Sequence, residues 1–129
     1  REEAARDEAP LALLNPTALD AMRARERSGR GGLLRRVVDG YLQQSVEHLA
    51  MLAKGCVSRD GEAVVFAVHA LKSSSAAIGA EQLAALCRGI EVEARGGDLD
   101  QACRELPQVT TLHGEVCALL NTHYRADAA

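Results

Sequence analysis

Apolar residues recur along most of this chain at steps of three and four, the spacing of one face of an α-helix. From Leu33 to about Lys54 the stripe is Leu34, Val37, Val38, Tyr41, Leu42, Val46, Leu49 and Leu52, and Gly55 is expected to end the helix. Asp60 is a good N-cap for a second helix reaching about Ile78, with Val64, Ala67, Val68, Leu71, Ser75 and Ile78 on one face. Gly79 supplies the turn into a third, Glu81 to Arg95, which Gly96-Gly97 stops. A last helix is predicted over about Asp98 to Tyr124, with Pro107 either kinking it early or marking its true start.

A short helix carrying Leu19 and Met22 precedes these, with Asn15 as cap and Pro16 at its first helical position, broken at 28–32 by Ser28-Gly29-Arg30-Gly31-Gly32. Burying every stripe at once calls for an all-α fold. The expected architecture is an antiparallel up-down-up-down four-helix bundle with a short extra N-terminal helix, over residues 14–125. Residues 1–13 read as a linker or flexible segment and 126–129 as a flexible tail.

Composition narrows this further. Of 129 residues 47% are hydrophobic but only 2% aromatic, so the core is aliphatic, which suits close-packed helices better than a sandwich or barrel. A net charge of -3 gives no general attraction for nucleic acid. The arginines at 23, 25, 27, 30, 35 and 36 form a locally basic stretch, read as a solvated helix end and loop. Cys56, Cys87, Cys103 and Cys117 lack metal-ligand spacing and are expected to be reduced, half-buried helix residues with no disulfide framework. No apolar run is long enough for a membrane span, and the charged start is unlike a signal peptide, so a cytoplasmic setting is expected.

Candidate chemistry centres on His69. It lies opposite the apolar stripe of its own helix, on a face shared with Glu62, Val65, Phe66, Lys72, Ser73 and Ala76. An accessible imidazole changes charge near neutral pH and is a natural reactive group. If the second and third long helices form a hairpin turning near Ala80, a residue 11 positions before the turn is level with one 11 positions after it. That pairs His69 with Glu91, whose carboxylate is placed to orient one ring nitrogen and leave the other free. Lys72, one turn on, can offset phosphoryl charge, and Ser73 offers a hydroxyl or room for another protein. Val65, Phe66 and Ala76 give this face apolar character suited to transient docking; the alternative for Phe66 is packing under the neighbouring helix. His48 and His123 read as solvated or stripe-edge residues, and His113 as a hydrogen-bonded seam residue.

The run around His69 resembles the histidine-containing phosphotransfer (HPt) domain family of multistep two-component phosphorelays, whose motif is His-x-x-Lys-Gly-Ser/Ala. His69, Lys72 and Ser74 match it, Ser75, Gly79 and Ala80 continue the pattern, and Leu86 to Glu91 is similar to the facing-helix stretch that carries the partner of the His. The likeness covers about residues 14–124, with Ser73 where the family has glycine, a change bearing on docking more than on His69. It implies a phosphocarrier: His69 accepts a phosphoryl group from a receiver-domain aspartate and passes it to another. The implied partners are response-regulator receivers and a sensor histidine kinase, with no nucleic acid, no membrane insertion and a monomeric chain. No cofactor is implied beyond magnesium on the receiver. The chain has no Gly-rich nucleotide loop and is not itself a kinase, although its charged start suits a piece of a larger one. Two rivals are an adaptor that binds receiver or kinase domains without phosphotransfer, and a metal-binding bundle, which would need Glu-x-x-His pairs that do not occur here.

Overall fold

A computed structural model describes residues 10–27 and 32–125; residues 1–9 of the expected linker, Arg30 of the basic stretch and the 126–129 tail lie outside the described residues. Six α-helices follow in order: α1 Thr17–Arg27, α2 Leu33–Ser58, α3 Gly61–Ala77, α4 Glu81–Arg95, α5 Leu99–Arg104 and α6 Leu106–Leu120, ending in a π-helical turn over Asn121–Arg125. The described residues contain no strand. Helices α2, α3, α4 and α6 form the four-helix bundle, each packed on its neighbours in that cyclic order. Val38, Leu52, Val68, Leu71, Leu83 and Ile90 fill its interior and are at most 2% exposed, each contributing roughly 1.5–3 kcal/mol by leaving water.

Helix α2 passes through Gly55 and ends three residues later. Gly55 is buried where α3 crosses, and a Cβ there would meet Val64 Cγ2 at 3.0 Å, so the glycine serves close helix approach and does not terminate the helix. Termination falls to Arg59, whose left-handed backbone (φ 59°) lets its N–H bond the Cys56 carbonyl. Asp60 then caps α3 by accepting the Ala63 N–H at 3.2 Å.

The long last helix is broken in two. Glu105 forms the joint, and Pro107 sits in the first turn of α6, where its missing N–H costs no helical hydrogen bond. The break lets α5 turn across the end of α2, and this corrects the expectation that all four cysteines are reduced. Cys56 and Cys103 are joined in a disulfide, with Cα atoms 5.7 Å apart and a sequence separation of 47. Neither position is near the other in sequence, so spacing gives no sign of the pair. Cys87 and Cys117 are free thiols, and burial pushes Cys87 up to about 12.

The buried polar side chains Ser45, Ser75 and His113 are paired. Tyr41 Oη and Ser75 Oγ lie 2.8 Å apart, and Ser45 Oγ is 2.7 Å from Nε2 of His113, whose burial holds its pKa below the usual histidine value. At the C-terminal end Tyr124 donates to Asp20 at 2.9 Å and Arg23 lies over its ring, tying α1 to the bundle. No helix of the described residues is long and apolar enough to cross a membrane.

Candidate functional site

The α3–α4 hairpin builds the site. Both helices are regular and join through Gly79, whose φ of 91° reverses the chain, so equal rise from the turn brings residues 69 and 91 level. Nδ1 of His69 lies 3.0 Å from Oε2 of Glu91. The Glu91 residue is only 7% exposed, whereas the His69 side chain is 53% exposed. Lys72 Nζ is 2.9 Å from Glu91 Oε1, and Arg95 donates through Nε at 2.9 Å and Nη2 at 2.8 Å to Oε2.

Two cations therefore stabilise one nearly buried carboxylate. The bond from Lys72 is the largest influence, burial opposes it, and Arg95 and His69 add to it, together drawing Glu91 down to about 2. Glu91 is ionised at neutral pH and can only accept hydrogen bonds. Its partner Nδ1 must then carry the proton, which leaves the Nε2 lone pair free on a ring projecting from the surface.

Two shallow grooves lie along this side of the hairpin, the first of them lined by the ring. One, about 650 Å³, is lined by Glu62, Val65, Phe66, His69, Ala94 and Arg95. Phe66 is 61% exposed and does not pack under a neighbour. The other groove, about 520 Å³, holds Lys72, Ser73 and Ala76 beside Leu11, Ala85 and Arg88. Ser73 is exposed, Ser74 turns back to the Leu71 carbonyl at 3.3 Å, and Ser75 is spent on Tyr41 in the core.

A family model for the Hpt domain matches residues 36–122, spanning α2 to the C-terminal π-helical turn. The chain belongs to the Hpt family. Its fold is that of a solved Hpt protein, the histidine-containing phosphotransfer protein B (HptB) of Pseudomonas aeruginosa PAO1, with a TM-score of 0.79 at 24% identity over 92% of this chain and 98% of that one. No curated protein sequence matches the chain.

Within this Hpt domain, all the residues singled out in the sequence lie along one side of the α3–α4 hairpin: Glu62, Val65, Phe66, His69, Lys72, Ser73 and Ala76 from α3, and Glu91 from α4. Lys72 stands on Glu91 and not free above the ring. Arg95 and the 66%-exposed Val92 escaped the sequence reading. The spacing of Arg95 four residues beyond Glu91 on one helix was the available signal for the first; nothing marked Val92 as exposed. Of the other histidines, His113 is buried on Ser45, His48 is half-buried with a Nδ1 that has no partner among the described residues, and His123 is exposed. Among the described residues no three His, Cys, Asp or Glu side chains converge as a metal site.

Proposed function

We propose that His69 Nε2 is the phosphoryl acceptor and donor of this Hpt domain, which acts as a histidine phosphotransfer intermediate in phosphorelay signalling. The observation that carries the assignment is the 3.0 Å bond from Nδ1 to ionised Glu91 on a ring that is itself exposed. In-line attack by Nε2 on a receiver aspartyl phosphate forms the N–P bond as the P–O bond breaks, and the electron pair leaves on the aspartate carboxylate. The proton stays on Nδ1, and Glu91 offsets the positive charge the ring acquires. The reverse sequence delivers the group to a second receiver.

Lys72 is positioned to swing from Glu91 toward the phosphoryl oxygens, with Arg95 holding Glu91 in place meanwhile. Glu62, Val65, Phe66, Ser73 and Ala76 offer the receiver an apolar face with polar edges. Magnesium belongs to the receiver, ATP chemistry to a sensor kinase, and a cytoplasmic setting fits both partners.

The test is transfer of labelled phosphate from phosphorylated receivers of the same cell. The expected product is acid-labile and alkali-stable, carries phosphorus on Nε2 by NMR, and is absent from His69→Gln. If the wild-type chain takes no phosphate from any of these receivers, the adaptor reading replaces this one.

A further inference from the structure

The segment before α1 is built into the hairpin. Glu81 takes two of its donors on one carboxylate, the Ala12 N–H at 2.9 Å and Asn15 Nδ2 at 2.8 Å. Gln82 donates its side-chain amide to the Leu11 carbonyl and its backbone N–H to the Ala12 carbonyl, each at 3.0 Å. Asn15 N–H closes on the Gly79 carbonyl at 2.7 Å, at a point where any side chain on Gly79 would overlap the Asn15 backbone. The strap has thus been fixed against the α3–α4 turn by both backbone and side chains.

What this fixing displays is an exposed aliphatic side chain. Leu11 is 53% exposed, so it gains little from the fold that orders it. It forms one wall of the second groove, whose opposite parts are Lys72, Ser73, Ala76, Ala85 and Arg88. Lys72 belongs to both this groove and the His69 cluster, so the groove begins where the phosphotransfer site ends. Glu81, the acidic group in the groove, is already occupied by the strap, which lowers its pKa chiefly through the Ala12 N–H. Arg88 has no carboxylate partner among the described residues. An ordered apolar wall facing a guanidinium that no described carboxylate pairs suits an apolar surface that carries a carboxylate.

We infer that Leu11 and Arg88 form a specificity-determining rim of the phosphotransfer face, contacting the receiver while its aspartate is at His69, with the strap holding Leu11 in register. The inference rests on the phosphotransfer reading and adds to it the residues that select among receivers. Ordering the strap before docking removes a loop-ordering cost from the encounter.

Transfer rates measured against receiver concentration, using the full chain and a panel of phosphorylated receivers, test this. Leu11→Glu and Arg88→Glu are expected to raise the half-saturating receiver concentration about tenfold for the preferred receiver, with the maximal rate within about twofold of wild type. An acidic-to-Lys change on that receiver should restore Arg88→Glu. Leu11→Ala should leave the thermal midpoint unchanged while raising the half-saturating concentration, and combining it with Glu81→Ala should add little, because both remove the same wall. Half-saturation unchanged by Leu11→Glu and Arg88→Glu for every receiver overturns the rim, and full additivity of Leu11→Ala with Glu81→Ala overturns the role of the strap. A wild-type chain that accepts no phosphate at all sinks the phosphotransfer reading and the rim with it, a failure seen before any variant is made.

Discussion

His69 and Arg95 meet at a single atom, Oε2 of Glu91, which accepts from Nδ1 of the imidazole at 3.0 Å and from Nη2 of the guanidinium at 2.8 Å. The ring is thereby oriented by a carboxylate that is itself fixed by a second residue one turn along α4. Orientation and charge can be separated experimentally. Glu91→Gln keeps an acceptor for Nδ1 but loses the negative charge, and transfer should continue about tenfold slower, about 1.4 kcal/mol of barrier. Glu91→Ala removes the acceptor as well and should be slower still. Equal rates for wild type and Glu91→Ala in single-turnover transfer would remove Glu91 from the mechanism.

Lys72→Ala should leave the fold intact, since the side chain is at the surface of α3 and Arg95 still pairs Glu91. Transfer should slow, or the phosphohistidine should decay faster, because an ammonium that can reach the phosphoryl oxygens is gone. Unchanged formation and decay, followed by label retention over time, would confine Lys72 to holding Glu91.

The pH dependence of Glu91 has a definite sign. Its folded pKa of about 2 lies below the ordinary 4.5, so the pairing contributes stability in full above about pH 4.5 and loses it as pH falls toward 2. Urea unfolding of wild type and Glu91→Gln should differ at pH 6 and converge in that acid range. A difference that persists undiminished to pH 2 would contradict the arrangement.

Buried His113 acts in a higher window. Burial lowers its pKa from 6.5, so the unfolded chain binds its proton first and stability is lost as pH falls below about 6.5. His113→Asn should flatten the unfolding midpoint between pH 7.5 and 5.5 relative to wild type; parallel curves would place the dependence elsewhere.

The Cys56–Cys103 bond closes a loop of 47 residues, a length for which cross-linking restricts the unfolded chain by roughly 2–4 kcal/mol. Thiol titration of the denatured, unreduced chain should find only Cys87 and Cys117, and Cys56→Ser should lower the melting temperature relative to oxidised wild type. Four reactive thiols in protein purified without reductant would show the pair unjoined.

The register of His69 against Glu91 was legible because it depends only on two regular helices and a turn at a glycine. Contacts that depend on where helices end were not. Gly55 reads as a stop until Val64 is seen against it, and Cys103 reads as part of a long last helix until Glu105 breaks that helix. The strap was hidden for a similar reason: a charged, alanine-rich approach to Pro10 reads as linker, and nothing local to Leu11 or Ala12 announces hydrogen-bond partners 69 to 71 residues away. Lys72 was placed on the right face but with its present partner unrecognised, since a carboxylate that serves three donors cannot be read from pairwise spacing.

That shared carboxylate also sets the electrical state of the loaded carrier. With the ring empty, the two cations outnumber the carboxylate by one. A dianionic phosphoryl group on a ring that keeps its Nδ1 proton brings the cluster close to neutrality, without any ion having to enter or leave. A cargo that leaves its cradle balanced in this way is neither locked in nor expelled, the condition under which a relay can run toward whichever aspartate is vacant.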